Sequence, residues 1–176
     1  MPSSHDYIKD KRNNKIKIFV NNKFLTRDKA KISVFDSGFL LGDGVWSGIR
    51  FHNSKFLFLK DHLNRLFDDA KKIDLKIHLS KKEIRKILFN TIKINKMKTD
   101  VHIRLVISRG IKSTPYQDPA FTISKPTIVI IPEYKQPHES VYKKGLILKT
   151  VKTIRGPHNV QDPRINSLSK LNCIIA

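Results

Sequence analysis

Two blocks of helical periodicity, set inside strand-like alternation, constrain this chain more than any other feature. Leu59, Leu63, Leu66, Phe67, Ala70 and Ile73 recur at three- and four-residue steps, which gathers them on one helical face. Ile84, Ile87, Leu88, Thr91 and Ile92 repeat the pattern. Between the blocks, Ser80-Lys81-Lys82-Glu83 has the form of a capping box, in which hydroxyl and carboxylate each satisfy an orphan backbone donor. Downstream, Val101, Ile103, Leu105 and Ile107 alternate with His102, Arg104, Val106 and Ser108, the period of a strand with one aliphatic face. A second apolar strand is expected over 127–131. Upstream, apolar stretches flank Asn21-Asn22 and His52-Asn53-Ser54, two hairpin arrangements, and residues 31–35 read as a further strand. Strands around two helices predict an α/β class: a small amino-terminal α+β domain with a mixed sheet and two helices.

The domain expected from this pattern covers residues 15–131, preceded by a frayed polar segment at 1–14. Two prolines with polar neighbours mark 132–138 as a linker. Residues 139–176 read as the beginning of a second, larger domain, with a strand over 146–154 and a helix over 165–176. That helical pattern is still apolar at Ala176, which predicts that the chain is the front part of a longer protein.

Composition narrows the classes further. The 39% of hydrophobic residues is enough for a packed core despite a formal charge of +20. Cys173 is the lone cysteine, so a disulfide framework and a cysteine zinc site are excluded, and a reducing compartment fits. Neither a secretory h-region nor a membrane-length apolar run is present, so a cytoplasmic protein with no membrane partner is expected. Of the basic residues 26 are Lys and 9 are Arg, without interleaved aromatics, which reads as a solvated surface and not a specific nucleic-acid site.

The seven histidines lack metal-ligand spacing, so no metal is expected. Gly42-Asp43-Gly44 is too short for a dinucleotide fingerprint and reads as a tight turn. Arg104 is the informative residue: a guanidinium in mid-strand requires an acid, a ligand or solvent.

Four segments together carry a family resemblance. Residues 36–50 (DSGFLLGDGVWSGIR), 62–66 (HLNRL), 104–110 (RLVISRG) and 166–172 (NSLSKLN) resemble, in order, motifs of the class IV (fold-type IV) pyridoxal-phosphate aminotransferases, branched-chain type. The resemblance implies pyridoxal 5'-phosphate as cofactor, a homodimer, and transamination of branched-chain L-amino acids with 2-oxoglutarate through a lysine Schiff base. It implies Arg65 as the phosphate-binding arginine, where the rival reading is an exposed Arg paired with Asp61, Asp68 or Asp69. It implies Arg50 and Arg104 on the substrate side.

A gapless match puts Asn166 at the place of the family's Schiff-base lysine, and an amide cannot form an imine. Lys170 follows four residues later; on the expected helix it shares a face with position 166, about 5.4 Å away, and is therefore the expected catalytic and cofactor-binding lysine. Leu41, Ser47 and His102 also depart from common family residues. The family's pyridinium-binding Glu and second phosphate loop correspond to sequence beyond Ala176. Residues 111–117 lack the R-x-H pair of the D-amino-acid branch. A D-amino-acid aminotransferase or an aminodeoxychorismate lyase is the alternative within the family. A catalytically inactive basic binding protein on the same scaffold is the alternative of another class.

Overall fold

The computed structural model describes residues 9–136, 138–154 and 156–176. In chain order the elements are β1 (Lys17–Val20), β2 (Lys23–Thr26), α1 (Ser37–Leu41), β3 (Gly44–His52), β4 (Lys55–Phe56), α2 (Leu59–Lys72), α3 (Lys81–Ile94), β5 (Val101–Ser108), β6 (Thr127–Tyr134), α4 (Glu139–Lys144) and α5 (Leu171–Ile175). The strands form one six-stranded sheet in the order β2-β1-β6-β5-β3-β4. Every pairing within it is antiparallel, where the sequence reading expects strands of both directions.

Alternation divides the sheet into two faces. Val45, Ile49, Val101, Ile103, Leu105, Ile107, Ile128 and Ile130 point to one side and are fully or almost fully buried. Helices α2 and α3 cover that side with Leu63, Leu66, Ala70, Ile84, Leu88 and Ile92, the stripes that periodicity identifies. The capping box forms as expected: the Glu83 amide donates to Ser80 Oγ at 3.2 Å and the Ser80 amide to Glu83 Oε2 at 2.7 Å. Both hairpins form. Asn53 and Ser54 take φ of 47° and 60°, the pair of left-handed residues that a tight hairpin turn requires. Asn21, with φ of 54°, exchanges hydrogen bonds with the Ile128 backbone and so ties the first hairpin to β6.

Several segments differ from the sequence reading. Residues 31–35 are not a strand. Ser33 Oγ accepts the Phe35 amide and Asp36 caps α1, so side chains occupy the backbone donors a ladder would use. The polar stretch before β1 forms a 3-10 helix at Lys11–Lys15, where Asn13 is buried and bonds the Tyr134 backbone in both directions. The expectation of fraying at residues 1–8, like the linker residue Pro137, lies outside the described residues. β6 runs through Pro132 to Tyr134; the β1 ladder covers only Val129 and Ile130, so no donor is demanded of the proline on that side. Residues 146–154 form no strand, and Ile147 and Leu148 are 77% and 88% exposed, with no pairing strand among the described residues.

The expected helix over 165–176 shrinks to α5, with Lys170 at its N-cap. Residues 166–168 instead run extended beside the start of β3, with an antiparallel bridge between Val45 and Ser167. β4 pairs only with Phe51 and His52, so this part of the β3 edge is open, and its unpaired backbone groups outweigh a short helical preference.

One ion pair ties the turn before β3 to the end of β5. Arg109 donates to both Asp43 oxygens, at 2.7 and 3.0 Å, and to the carbonyls of Ile73 and Asp74 that end α2. Both side chains are largely buried, at 14% and 19% exposed. Replacing Arg109 by Met leaves a desolvated carboxylate and two bare helix-end carbonyls. The expected loss is about 3 kcal/mol, read as a lower urea midpoint at unchanged slope.

Candidate functional site

The sheet face away from the helices carries Trp46, Gly48 and Arg50 from β3 opposite Val106, Arg104 and His102 from β5. Gly48 lies directly across from Arg104. A Cβ there would stand 3.0 Å from His102 Nε2 and 3.4 Å from the Trp46 ring, so only glycine leaves the space in which these side chains settle. The Arg104 guanidinium lies 4.1 Å from the Trp46 ring centroid. The Lys170 ammonium is also near that ring, at 5.7 Å. An indole flanked by two cations is a platform for an anionic ligand with a flat or apolar body.

The segment that delivers Lys170 is held by β3. The Trp46 amide donates to the Asn166 carbonyl at 3.0 Å, Asn166 Nδ2 to the Trp46 carbonyl at 2.9 Å, and the Leu168 amide to the Gly44 carbonyl at 2.9 Å. Trp46 Nε1 donates to the Ser167 carbonyl at 3.1 Å. Gly42, the left-handed C-cap of α1 with φ of +67°, leaves room for this approach, since a Cβ there would meet the Ser169 backbone at 3.1 Å; Gly44 is required first by β5, because a Cβ there would stand 2.5 Å from the Ile107 carbonyl oxygen. The Gly42-Asp43-Gly44 turn is therefore a docking point for chain and not a phosphate cradle.

Arg65 stands on α2. Ser47 points toward the helices, opposite to Trp46, and its hydroxyl reaches His62 Nδ1 on α2 at 3.1 Å. Arg65 Nη2 approaches the same nitrogen at 3.5 Å. The guanidinium is exposed and forms no ion pair among the described residues, so the carboxylates Asp61, Asp68 and Asp69 do not claim it. Asp69 is buried and accepts the Asn166 amide at 3.1 Å.

The four expected site residues thus divide. Arg104 and Lys170 share Trp46; Arg65 is on α2, beside His62. Arg50 is engaged with the Lys135 carbonyl and, at 3.6 Å, with Asp100, which also meets His52. The helix expected to place Asn166 and Lys170 on one face does not extend to either, so their face-sharing is corrected: Asn166 is at the β3 edge and Lys170 is an N-cap. Sequence reasoning assigns no site role to Trp46, His62 or Asp69. The first is the sole tryptophan and the second opens the H-x-x-R-L segment, but nothing in the sequence pairs Asp69 with residue 166.

The family model for class IV amino-transferases matches residues 44–176. This chain belongs to the class IV aminotransferases. It is 38% identical over 161 residues to a putative branched-chain-amino-acid aminotransferase of Methanocaldococcus jannaschii, covering 92% of this chain and 54% of that protein. It is 37% identical over 166 residues to branched-chain-amino-acid aminotransferase-like protein 1 of Arabidopsis thaliana, covering 93% of this chain and 29% of that protein. The fold matches the branched-chain aminotransferase of Thermoproteus uzoniensis crystallised with norvaline, with a TM-score of 0.74 at 23% identity over 92% of this chain and 54% of that one. This class IV chain spans about half the length of the M. jannaschii relative and of that crystallised enzyme. Among its described residues no helix is long and apolar enough to cross a membrane, and no metal-binding cluster occurs.

The family uses pyridoxal phosphate, and this class IV chain fits that group unevenly. A phosphate is matched by the Arg65 guanidinium beside the start of α2, whose N-cap Phe58 supplies no side-chain acceptor for the first amides. For covalent attachment, residue 166 is an amide bonded to Trp46 and cannot form an imine; the amine on the same segment is Lys170, beside the Trp46 ring.

His62 joins Ser47 and Arg65 as a neutral ring. Burial is the main cause that holds it below the ordinary histidine value, with Arg65 adding to it. His78 is lowered in the same way by burial and then Lys125. The unfolded chain binds these protons more readily, so stability rises with pH across the interval from the folded values up to the ordinary 6.5 and is flat above it. The urea midpoint is expected to fall as pH drops from about 6.5 to about 5. A His62→Gln, His78→Gln double variant is expected to flatten that fall.

Proposed function

We propose that this chain forms the amino-terminal part of a pyridoxal-phosphate-dependent transaminase acting on branched-chain L-amino acids with 2-oxoglutarate. In this reading it works as a homodimer, with an amino acid and a 2-oxo acid as its small-molecule partners. The observation that carries the reading is the joint approach of Arg104 and Lys170 to Trp46, on the face opposite the helices. A guanidinium suits the substrate carboxylate through paired hydrogen bonds. Arg65 receives the cofactor phosphate, with neutral His62 holding its Nη2 as an acceptor. Arg50 acts by fixing the end of β3 against Asp100 and residue 135. The names of the M. jannaschii and A. thaliana relatives support branched-chain substrates over D-alanine, since these relatives match at 38% and 37% identity over more than 90% of this chain, whereas D-alanine aminotransferases match at 36% over 56% (Listeria monocytogenes) or at 27% over 79% (Staphylococcus aureus). The cofactor, when bound, supplies the electron sink for proton removal at the substrate Cα; the protein's part is a phosphate receptor, a carboxylate receptor and an amine. Lys170 is the amine of this reading.

The amide at residue 166, bonded to Trp46, favours a second reading, a scaffold that binds a phosphate ligand without covalent chemistry. One experiment separates the two. The chain is incubated with pyridoxal phosphate, reduced with borohydride and mapped by mass spectrometry. Its 26 lysines set a diffuse background, so the expected result is one stoichiometric adduct on Lys170 that is lost in Lys170→Ala. Arg65→Ala is expected to weaken binding about tenfold, the share of one charge-assisted pair. Binding that depends on Arg65 but leaves no adduct above background supports the scaffold reading and removes Lys170 as the Schiff-base lysine.

A further inference from the structure

A second concave site lies on the opposite side of the molecule from Trp46, between α2, α3 and the β4 hairpin. Its volume is about 690 Å³, within the range of sites for small molecules. The floor is apolar: Phe56, Leu59, Leu63 and Phe89. Phe56 and Phe89 meet edge to face at 4.8 Å, and Phe89 remains 44% exposed. A ring left this open on a packed helix wall has apolar surface to cover.

The rim is uniformly basic. Lys55, Lys60, Lys81, Lys82 and Arg85 surround the floor, and no carboxylate lines it. Lys81 bonds Asn64 at 2.8 Å and Arg85 leans over Phe89 at 5.3 Å. None of the five forms an ion pair among the described residues. The nearest acid on α3, Glu83, is turned to Ser80 in the capping box.

From this geometry we infer a binding site for a small anionic amphiphile, a medium-chain fatty carboxylate. Its hydrocarbon lies along Phe56, Leu63 and Phe89, and its carboxylate is received by Lys82 and Arg85. Charge complementarity decides the head group: an all-basic rim raises the local concentration of anions and repels cations. The volume suits a small molecule whose apolar part fits within the cavity. A second copy of this chain would set five cations against five. This inference is independent of the transaminase reading, because no residue of the rim or floor belongs to the site around Trp46 and Arg65.

The test is calorimetric titration of the full chain with monomeric laurate, dodecanol and dodecyltrimethylammonium, each below its micellar concentration. Saturable binding of one laurate is expected, with dodecanol about tenfold weaker and no binding of the cation. Lys82→Glu with Arg85→Glu is expected to weaken laurate about tenfold or more. Both changes place acids near the start of α3, where its dipole favours them, so the fold is retained and circular dichroism verifies this. Phe89→Ala gives a second, uncharged test and is expected to weaken all apolar binding. Lys23→Glu with Lys31→Glu, on exposed residues distant from the cavity, makes the same charge change and should leave laurate affinity intact.

The inference is overturned by absence of saturable laurate binding, by equal binding of the cationic amphiphile, or by equal weakening in the two charge-reversed doubles. It is also overturned if only anionic vesicles or an acidic amphipathic peptide bind the groove. The same holds if the chain self-associates through it in a manner lost in Phe89→Ala.

Discussion

The register of β3 against β5 is the constraint from which the site follows. Gly48 faces Arg104 and Arg50 faces His102, so the two strands present one row of groups on the open face. A one-residue slip would send Arg104 into the aliphatic layer beneath α2 and α3 and bring Ile103 or Leu105 out. The buried partners Val45, Ile49, Ile103, Leu105 and Ile107, all at 0% exposure, hold the register by refusing that exchange. Core packing and placement of the site are thus one physical fact. The Arg109–Asp43 clamp guards the same register at its end, since it joins the residue after β5 to the residue before β3.

The edge of β3 is the second determinant. It ends a long, well-paired strand but has only two residues of β4 beside it. Open backbone donors and acceptors in a strand seek partners, and residues 166–168 supply them. That pairing explains why a tail segment reaches the middle of the site. Gly42, already required by its left-handed cap conformation, leaves that segment room, while Gly44 is set by the close approach of the Ile107 carbonyl on β5.

Legibility in the sequence depended on whether the partner was local. Helices α2 and α3, the capping box and the alternation of β5 depend on neighbours within a few residues, and each formed where periodicity placed it. The class IV motifs were legible as well, because they are short and ordered along the chain. The extended course of residues 166–168 was not. Leu168, Leu171, Ile174 and Ile175 have helical spacing, yet the choice was made by an unpaired edge more than a hundred residues earlier, which no local pattern carries. Residues 146–154 show the converse: strand-like composition without a partner among the described residues yields no strand. The contact of Arg50 with Asp100 was not legible for a related reason, because Asp100 lies on the approach to the neighbouring strand and adjacency in space is not carried by the local sequence.

The tether of residues 166–168 can be given a magnitude. Detaching this segment from its neighbours requires releasing the bonds of the Trp46 amide to Asn166, of Asn166 to the Trp46 carbonyl, of Leu168 to Gly44, and of the Asn166 amide to Asp69. At about 1 kcal/mol net each, detachment costs on the order of 4 kcal/mol. A ligand can shift such an equilibrium only by its differential affinity for the two arrangements, here roughly a thousandfold. The backbone that leads to Lys170 is therefore held at the β3 edge, and the reach of its amine is set by its own long side chain and by the turn into α5 more than by movement of the segment before it.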